Sequence, residues 1–465
     1  MKYYLISFFL IFSYSLMAQN VGIGITGPTE KLQVAGNIKA DTIKPNALKI
    51  PLNAGVGKIL TSDVAGNANW QSVATNNSVG FGSWGDCSMN NISGYNPVSD
   101  EAGAPLDNFG FSVSISGNYA IVGARQDDVG ANTKQGSASI YQFTGTNWVL
   151  MQKITDATGA TNDYFGYSVA ISGNFAVVGA IFDDVGANAD QGSASIYQYT
   201  GGNWILMQKI TDAVGAAGDF FGFSVSVSGN YAIFGALGDD VGANVNQGSA
   251  SIYQYSGGTW ILMNKISDPA GATSDEAGRS VSISGNYAIV GAARDDVGAN
   301  TDQGSAYIYQ YTGGNWVLMN QINDGGANNY FGESVSISGN YAIVGAYGSA
   351  TAVTFRYNGS NWVLMQRLTG STIDNYARNV SISGNFAVVG ANWGDVNGNA
   401  DQGTATIYQR IGIGWQKLQF VTDPGGEAYD YFGHATAIDG TTRRFLIGAH
   451  FVGDAVGKVV FGNIN

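Results

Sequence analysis

Carboxylates are the chemically capable groups that recur along this 465-residue chain. Asp-Asp pairs stand at Asp127/Asp128, Asp183/Asp184, Asp239/Asp240 and Asp295/Asp296, each pair 56 residues after the last, and Asp163, Asp219, Asp275, Asp395 and Asp430 extend the series. Carboxylates gathered in space could hold a divalent cation through hard oxygen ligands, dock a ligand, or, as a pair, cleave a glycosidic bond. Recurrence argues for binding over catalysis, because an active site rarely needs one residue four times. The run Asp395-Val-Asn397-Gly-Asn399-Ala-Asp401 alternates oxygen ligands at a step that suits Ca²⁺, but it lacks the glycine position of an EF-hand loop. His434 and His450 are the only histidines, which excludes a His-rich metal centre and leaves few groups for a general base. No nucleophile elbow, phosphate loop or zinc-protease motif occurs, so no catalytic residue is assigned and the chain is read as a non-enzyme. Cys87, the single cysteine, can form no intramolecular disulfide and is expected to be a buried free thiol.

These side chains must be positioned by a repeat. Phe109-Gly110, Phe165-Gly166 and Phe221-Gly222 open three near-identical segments, and Ala277-Gly278, Phe331-Gly332, Tyr376-Ala377 and Phe432-Gly433 hold the same place in four more, giving seven copies. Within copy one the pattern predicts strands at 111–116, 119–124, 137–143 and 148–154, with a tight Gly117-Asn118 reversal. Four antiparallel strands per period, repeated radially, predict an all-β, seven-bladed β-propeller; a straight solenoid is the alternative. The seventh copy ends after its third strand and lacks the Trp-led fourth strand seen at Trp148, Trp204, Trp260, Trp316, Trp362 and Trp415. An N-terminal strand at about 85–95 is therefore expected to complete the last blade, followed by a 96–108 connection. In-register tryptophans and the third-strand residues Tyr141, Tyr197, Tyr253 and Tyr309 are expected to pack between blades.

The recurring FG-x-SV and VGA elements of residues 85–465 resemble FG-GAP repeats, the units of integrin α-subunit heads and of many exported bacterial proteins. The family's calcium loop, D-x-D-x-D-G between the first two strands, does not carry over: the Ser-Gly-Asn turn at 116–118 holds no carboxylate. Antiparallel order sends the second-to-third loops and the fourth-to-first connections to one face, which becomes loop-rich and acidic. Its Asp-Asp pairs, with Trp393 in a divergent copy, are the candidate ligand contacts. Asp395, Asn397, Asn399 and Asp401 are the candidate Ca²⁺ ligands. A solvated acidic rim whose aspartates cap their own loops is the structural alternative.

Residues 1–18 read as an export signal, 19–75 as a stalk-like β segment and 76–84 as a linker. The phrases VGIGITGPTEKLQVAGNIKAD and GKILTSDVAGNANWQ resemble stalk segments of exported Bacteroidota surface proteins and phage-fibre-like proteins, which often trimerise. A formal charge of −13 argues against nucleic acid and anionic membranes, and no second apolar segment offers a membrane span. The expectation is a secreted or cell-surface adhesion module for an extracellular protein or glycan. A carboxylate glycosidase or lyase working in the central channel, and a structural fibre component, are the alternatives.

Overall fold

The computed structural model describes residues 93–100, 103–451 and 456–464, together with the backbone of four strands nearer the N-terminus. The chain divides into two compact units, Met1–Phe81 and Gly82–Asn465. In the first, β1 (Val21–Ile23) pairs in parallel with β2 (Leu32–Val34), and β3 (Lys58–Ser62) pairs antiparallel with β4 (Ala68–Ser72). The expected leader (1–18), the linker (76–84) and Cys87 lie outside the described residues.

The second unit opens with β5 (Ser93–Val98) and then β6 (Phe109–Ser116), β7 (Tyr119–Ala124), β8 (Ser137–Phe143) and β9 (Trp148–Ile154), of which β6 to β9 form one four-stranded antiparallel sheet. Five further sheets of four consecutive strands follow, and a seventh joins the three strands Ala435–Asp439, Arg444–Ala449 and Lys458–Asn463 to β5. The all-β, seven-bladed propeller closed by an N-terminal strand is thus what the chain forms.

Each blade follows from its residues. The Tyr-Ala-Ile-Val-Gly-Ala run of β7 is almost wholly apolar and is buried from Ala120 onward, as befits a strand covered on both faces. The outer strand β9 keeps Trp148 and Ile154 inside and leaves Val149 and Leu150 about half exposed at 50% and 49%. The core lies between blades: Ile121 and Ile140 of blade one pack with Phe165, Val178 and Trp204 of blade two. Here the two repeat motifs find their physical cause. A methyl group on Gly123, the VGA glycine, would stand 2.0 Å from the Gly166 carbonyl of the next FG pair, so these backbones touch where any side chain would intervene. Serines of the first strands then bridge the blades, with Ser114 Oγ accepting from Ile171 N–H at 3.1 Å and Ser226 Oγ from Ile283 N–H at 3.1 Å.

The same devices close the ring. Gly448 meets the Gly110 carbonyl as Gly123 meets that of Gly166, and Phe461 of blade seven stacks on Trp148 of blade one with centroids 4.5 Å apart. An open solenoid would leave both faces bare. The closing strand lies at Ser93–Val98, not at about 85–95, and pairs Val98 with Val459 and Pro97 with Val460. Its end is set by Asp100, nine residues before Phe109, which receives Lys153 Nζ at 2.8 Å; Asp156, nine before Phe165, receives Lys209 Nζ at 2.8 Å. Pro97 is tolerated because β5 is the blade's outer edge.

Candidate ligand-binding face

The Asp-Asp pairs divide their labour. Asp127, Asp183, Asp239 and Asp295 are buried, whereas Asp128, Asp184, Asp240 and Asp296 are exposed, so of each pair expected to contact a ligand only the second member faces solvent. Lys153 Nζ sits 2.6 Å from Asp127 and 2.8 Å from Asp100, tying its own blade's loop to the preceding connection. Lys209 does the same for Asp183 and Asp156, and Lys265 for Asp239 and Asp212. Burial alone would lower the Lys153 ammonium pKa; its hydrogen bonds to Asp100 and Asp127 outweigh that and raise it. The exposed partners close their loops: Asp128 accepts the Lys134 N–H at 2.7 Å and Asp184 the Asp190 N–H at 2.9 Å. Asn132 and Gln135 complete the clamp, with Asn132 Nδ2 donating to the Gly159 carbonyl at 2.9 Å and Gln135 Nε2 to that of Asp156 at 2.6 Å.

Blade four departs from this scheme. Gln321 stands where the lysine was, and the Tyr307 hydroxyl donates between Asp268 and Asp295, 3.0 Å from the latter. Asp268, Asp275 and Asp295 form one of two groups of three carboxylates among the described residues; the other, Asp212, Asp219 and Asp239, contains the Lys265 contacts. In blade six Asp395 is exposed and accepts the Asp401 N–H at 3.0 Å, while Asn399 Nδ2 donates to Gln402 Oε1 at 3.2 Å and the Gly426 carbonyl at 3.1 Å. Asp395, Asn397, Asn399 and Asp401 therefore build the ordinary blade loop, with Asn397 in the left-handed region at φ 54°.

Around the axis the repeat breaks. In the first strands the register shifts between Phe109 and Ser112, and likewise between Phe165 and Ser168, a bulge that turns the residue after FG into the channel. That position reads Phe111, Tyr167, Phe223, Arg279, Glu333, Arg378 and His434, and all seven line a cavity of about 280 Å³. Half the ring is aromatic, with centroids of Phe111 and Tyr167 5.1 Å apart and those of Tyr167 and Phe223 5.0 Å apart. The other half is charged: Arg279 Nε lies 2.6 Å from Glu333, and its Nη1 2.8 Å from Glu276. Arg378 reaches Glu333 only at 4.0 Å. Arg125 lies 3.7 Å above the Phe111 ring and donates to Asn108 Oδ1 at 3.2 Å.

His434 and His450, sixteen residues apart in sequence, meet here with ring centroids 4.1 Å apart. Burial, reinforced by the Arg125 charge, pushes His450 down to about 3. Burial first, then His450, Arg378 and Arg125, holds His434 well below its usual value. Both are neutral at pH 7; His434 lines the cup and His450 packs against it.

A collar surrounds this cup. The residue before each FG pair adopts φ between 53° and 57°, at Asn108, Tyr164, Phe220, Glu276, Tyr330, Asn375 and Tyr431, a costly conformation for bulky side chains. Trp393 shares this neighbourhood. Its N–H donates to the Asp374 carbonyl at 3.1 Å, as Gln126 N–H does to Asp107 at 3.1 Å and Phe182 N–H to Asp163 at 3.3 Å. Trp393, Tyr429 and Phe451 are 46%, 52% and 45% exposed, unlike the fourth-strand tryptophans, which pack as expected. Sequence reasoning missed Arg125, Arg279, Glu333 and Arg378. For Arg279, Glu333 and Arg378 the available signal was the variability of one inward position across the seven copies; Arg125 stands outside it, directly after the second strand.

Comparison with known proteins agrees with this geometry. A family model described as "FG-GAP repeat" matches residues 99–141, 148–197, 204–253, 260–309, 322–361 and 362–408. No curated protein matches the chain. Among solved structures, the RRP9 WD40 repeats align with TM-score 0.50 and 8% identity over 79% of this chain and 97% of that one. A putative 6-phosphogluconolactonase from Bacteroides fragilis aligns with TM-score 0.47 and 12% identity over 72% of this chain and 88% of that one. At 8% identity the likeness to the WD40 repeats concerns the fold alone.

Proposed function

Because the chain belongs to the FG-GAP repeat family, we propose that it is a non-catalytic binding module, exported to the cell surface or released, that recognises a protein or glycan through its loop-rich face. One observation carries this. The carboxylates that recur are engaged in holding loops and blades together, whereas the face around the axis carries non-repeating groups: Trp393, Tyr429 and Phe451 exposed, and an aromatic and charged cup below. Exposed aromatics beside arginines are the composition that binding hot spots favour. A carboxylate glycosidase would need two carboxyl groups flanking a bond. Among the described residues lining the cup the one carboxylate is Glu333, and Arg279 engages it.

The N-terminal unit serves in this proposal as a spacer that can assemble the heads as a trimer, and the loop at Asp395 to Asp401 is the site at which Ca²⁺ would act. A glycan and protein array probed with the purified chain, with and without Ca²⁺, tests the reading; binding to a defined ligand class is expected. A silent array beside turnover of a polysaccharide panel would contradict it. Sedimentation equilibrium tests the trimer.

A further inference from the structure

Two of the chain's nine arginines, Arg279 and Arg378, line the axial cup, Arg125 packs on its Phe111, and Arg294 reaches Glu276 of the collar, in a protein whose net charge is −13. The carboxylates that pair with them are two, Glu276 and Glu333, through contacts of Arg279, Arg294 and Arg378. Arg125 forms no ion pair among the described residues, although it is packed against Phe111 and close to Tyr167, with its guanidinium 5.7 Å from that ring. A guanidinium withdrawn from water without a counter-charge is expensive and is normally met by an anion. His450 Nδ1, beside it, is buried and has no hydrogen-bond partner. Around the cup the arginines therefore outnumber the carboxylates that pair with them, and the ring carrying the unused polar atom packs 5.6 Å from Phe111 of the aromatic arc.

Resting on the reading of this face as a binding surface, we propose that the axial cup is a subsite for one carboxylated sugar ring. The guanidinium groups of Arg125 and Arg378 take its carboxylate, and the arc Phe111, Tyr167 and Phe223 takes its apolar face. Guanidinium and carboxylate match as paired, charge-assisted hydrogen bonds. The arc offers contiguous ring surface that a bare anion would leave uncovered. A cavity of about 280 Å³, just under the usual range for small-ligand pockets, suits a single ring entering end-on. An inserted aspartate or glutamate from a partner protein would satisfy the arginines and leave the arc empty, which is why the sugar is favoured.

Calorimetric titration of the full chain with sodium glucuronate and galacturonate, with glucose and galactose, with sodium sulfate, and with an acidic peptide separates these ligands. Uronate binding is expected, neutral sugars should not bind, and Arg125→Gln and Arg378→Gln should each weaken uronate binding at least tenfold. Arg378→Gln should keep the wild-type melting temperature, which shows that the fold is intact. Uronate affinity unchanged in Arg378→Gln, sulfate binding as tightly as uronate, or an acidic peptide binding where uronates do not would each overturn the proposal. If array ligands survive both arginine substitutions, this subsite falls while the binding-module reading stands; loss of array binding in the wild type removes the broader reading itself.

Discussion

Two rings of this propeller obey different rules. At the periphery of blades one to three, Lys153, Lys209 and Lys265 repeat the same bridge between two aspartates, and the loops repeat the same clamp. At the axis no such repetition survives: one structural position holds three aromatics, two arginines, a glutamate and a histidine. Uniform residues are what identical blade interfaces require. Divergent ones at a position the bulge aims inward are free of that requirement, and selection for a ligand can act on them.

Substitutions should separate the two rings by their stability effects. Trp204, 2% exposed between blades one and two, is expected to cost about 3–5 kcal/mol when truncated to alanine, read by chemical denaturation. Lys209→Ala strands the buried carboxylates of Asp156 and Asp183 and should cost roughly 3–5 kcal/mol. Arg378→Gln at the axis, whose partner lies 4.0 Å away, should cost less than about 1 kcal/mol. Equal losses at Lys209 and Arg378 would erase the distinction.

Proton linkage sharpens the same contrast. Burial raises Asp107, Asp163, Asp219 and Asp275, all in the fourth-to-first connections, to about 6. Their unfolded value is 3.8, so between pH 4 and 6 the folded chain holds protons that the unfolded chain has lost, and stability falls as pH rises through that window. The axial histidines act oppositely. Neutral when folded, with His450 at about 3, they lend stability above pH 6.5 that drains as pH falls. Four aspartates outnumber two histidines, so the melting temperature at pH 5 should exceed that at pH 7. Replacing Asp163 by Asn should flatten the dependence between pH 4 and 6. The smallest effect is expected at Ala377, which holds φ 69° where other copies have glycine; Ala377→Gly should gain up to about 1 kcal/mol.

Much of the fold was legible because backbone contact between blades demands small residues at fixed places, so the Gly-Ala that ends each second strand marks every interface from Gly123 to Gly448, with FG or a variant of it opposite. The closing strand was read a few residues too early because it lacks a tryptophan; counting back from Phe109 to Asp100 locates its end. In blades one to three the buried half of each Asp-Asp pair was hidden because its lysine lies in the fourth strand, 26 residues on from Asp127 to Lys153. The axial cup was missed for the opposite reason: it has no repeated residue, and only the bulge at Gly110 shows that the residue after it faces inward.

Binding measured on two variants tests most directly the claim that ligand recognition belongs to the divergent axis. One carries Asp128→Asn, Asp184→Asn, Asp240→Asn and Asp296→Asn on the rim; the other carries Arg378→Gln and Trp393→Ala at the mouth. The rim variant should retain its array ligand within about threefold, allowing for small electrostatic changes, and the mouth variant should lose it. Loss in the rim variant with retention in the mouth variant would contradict the account.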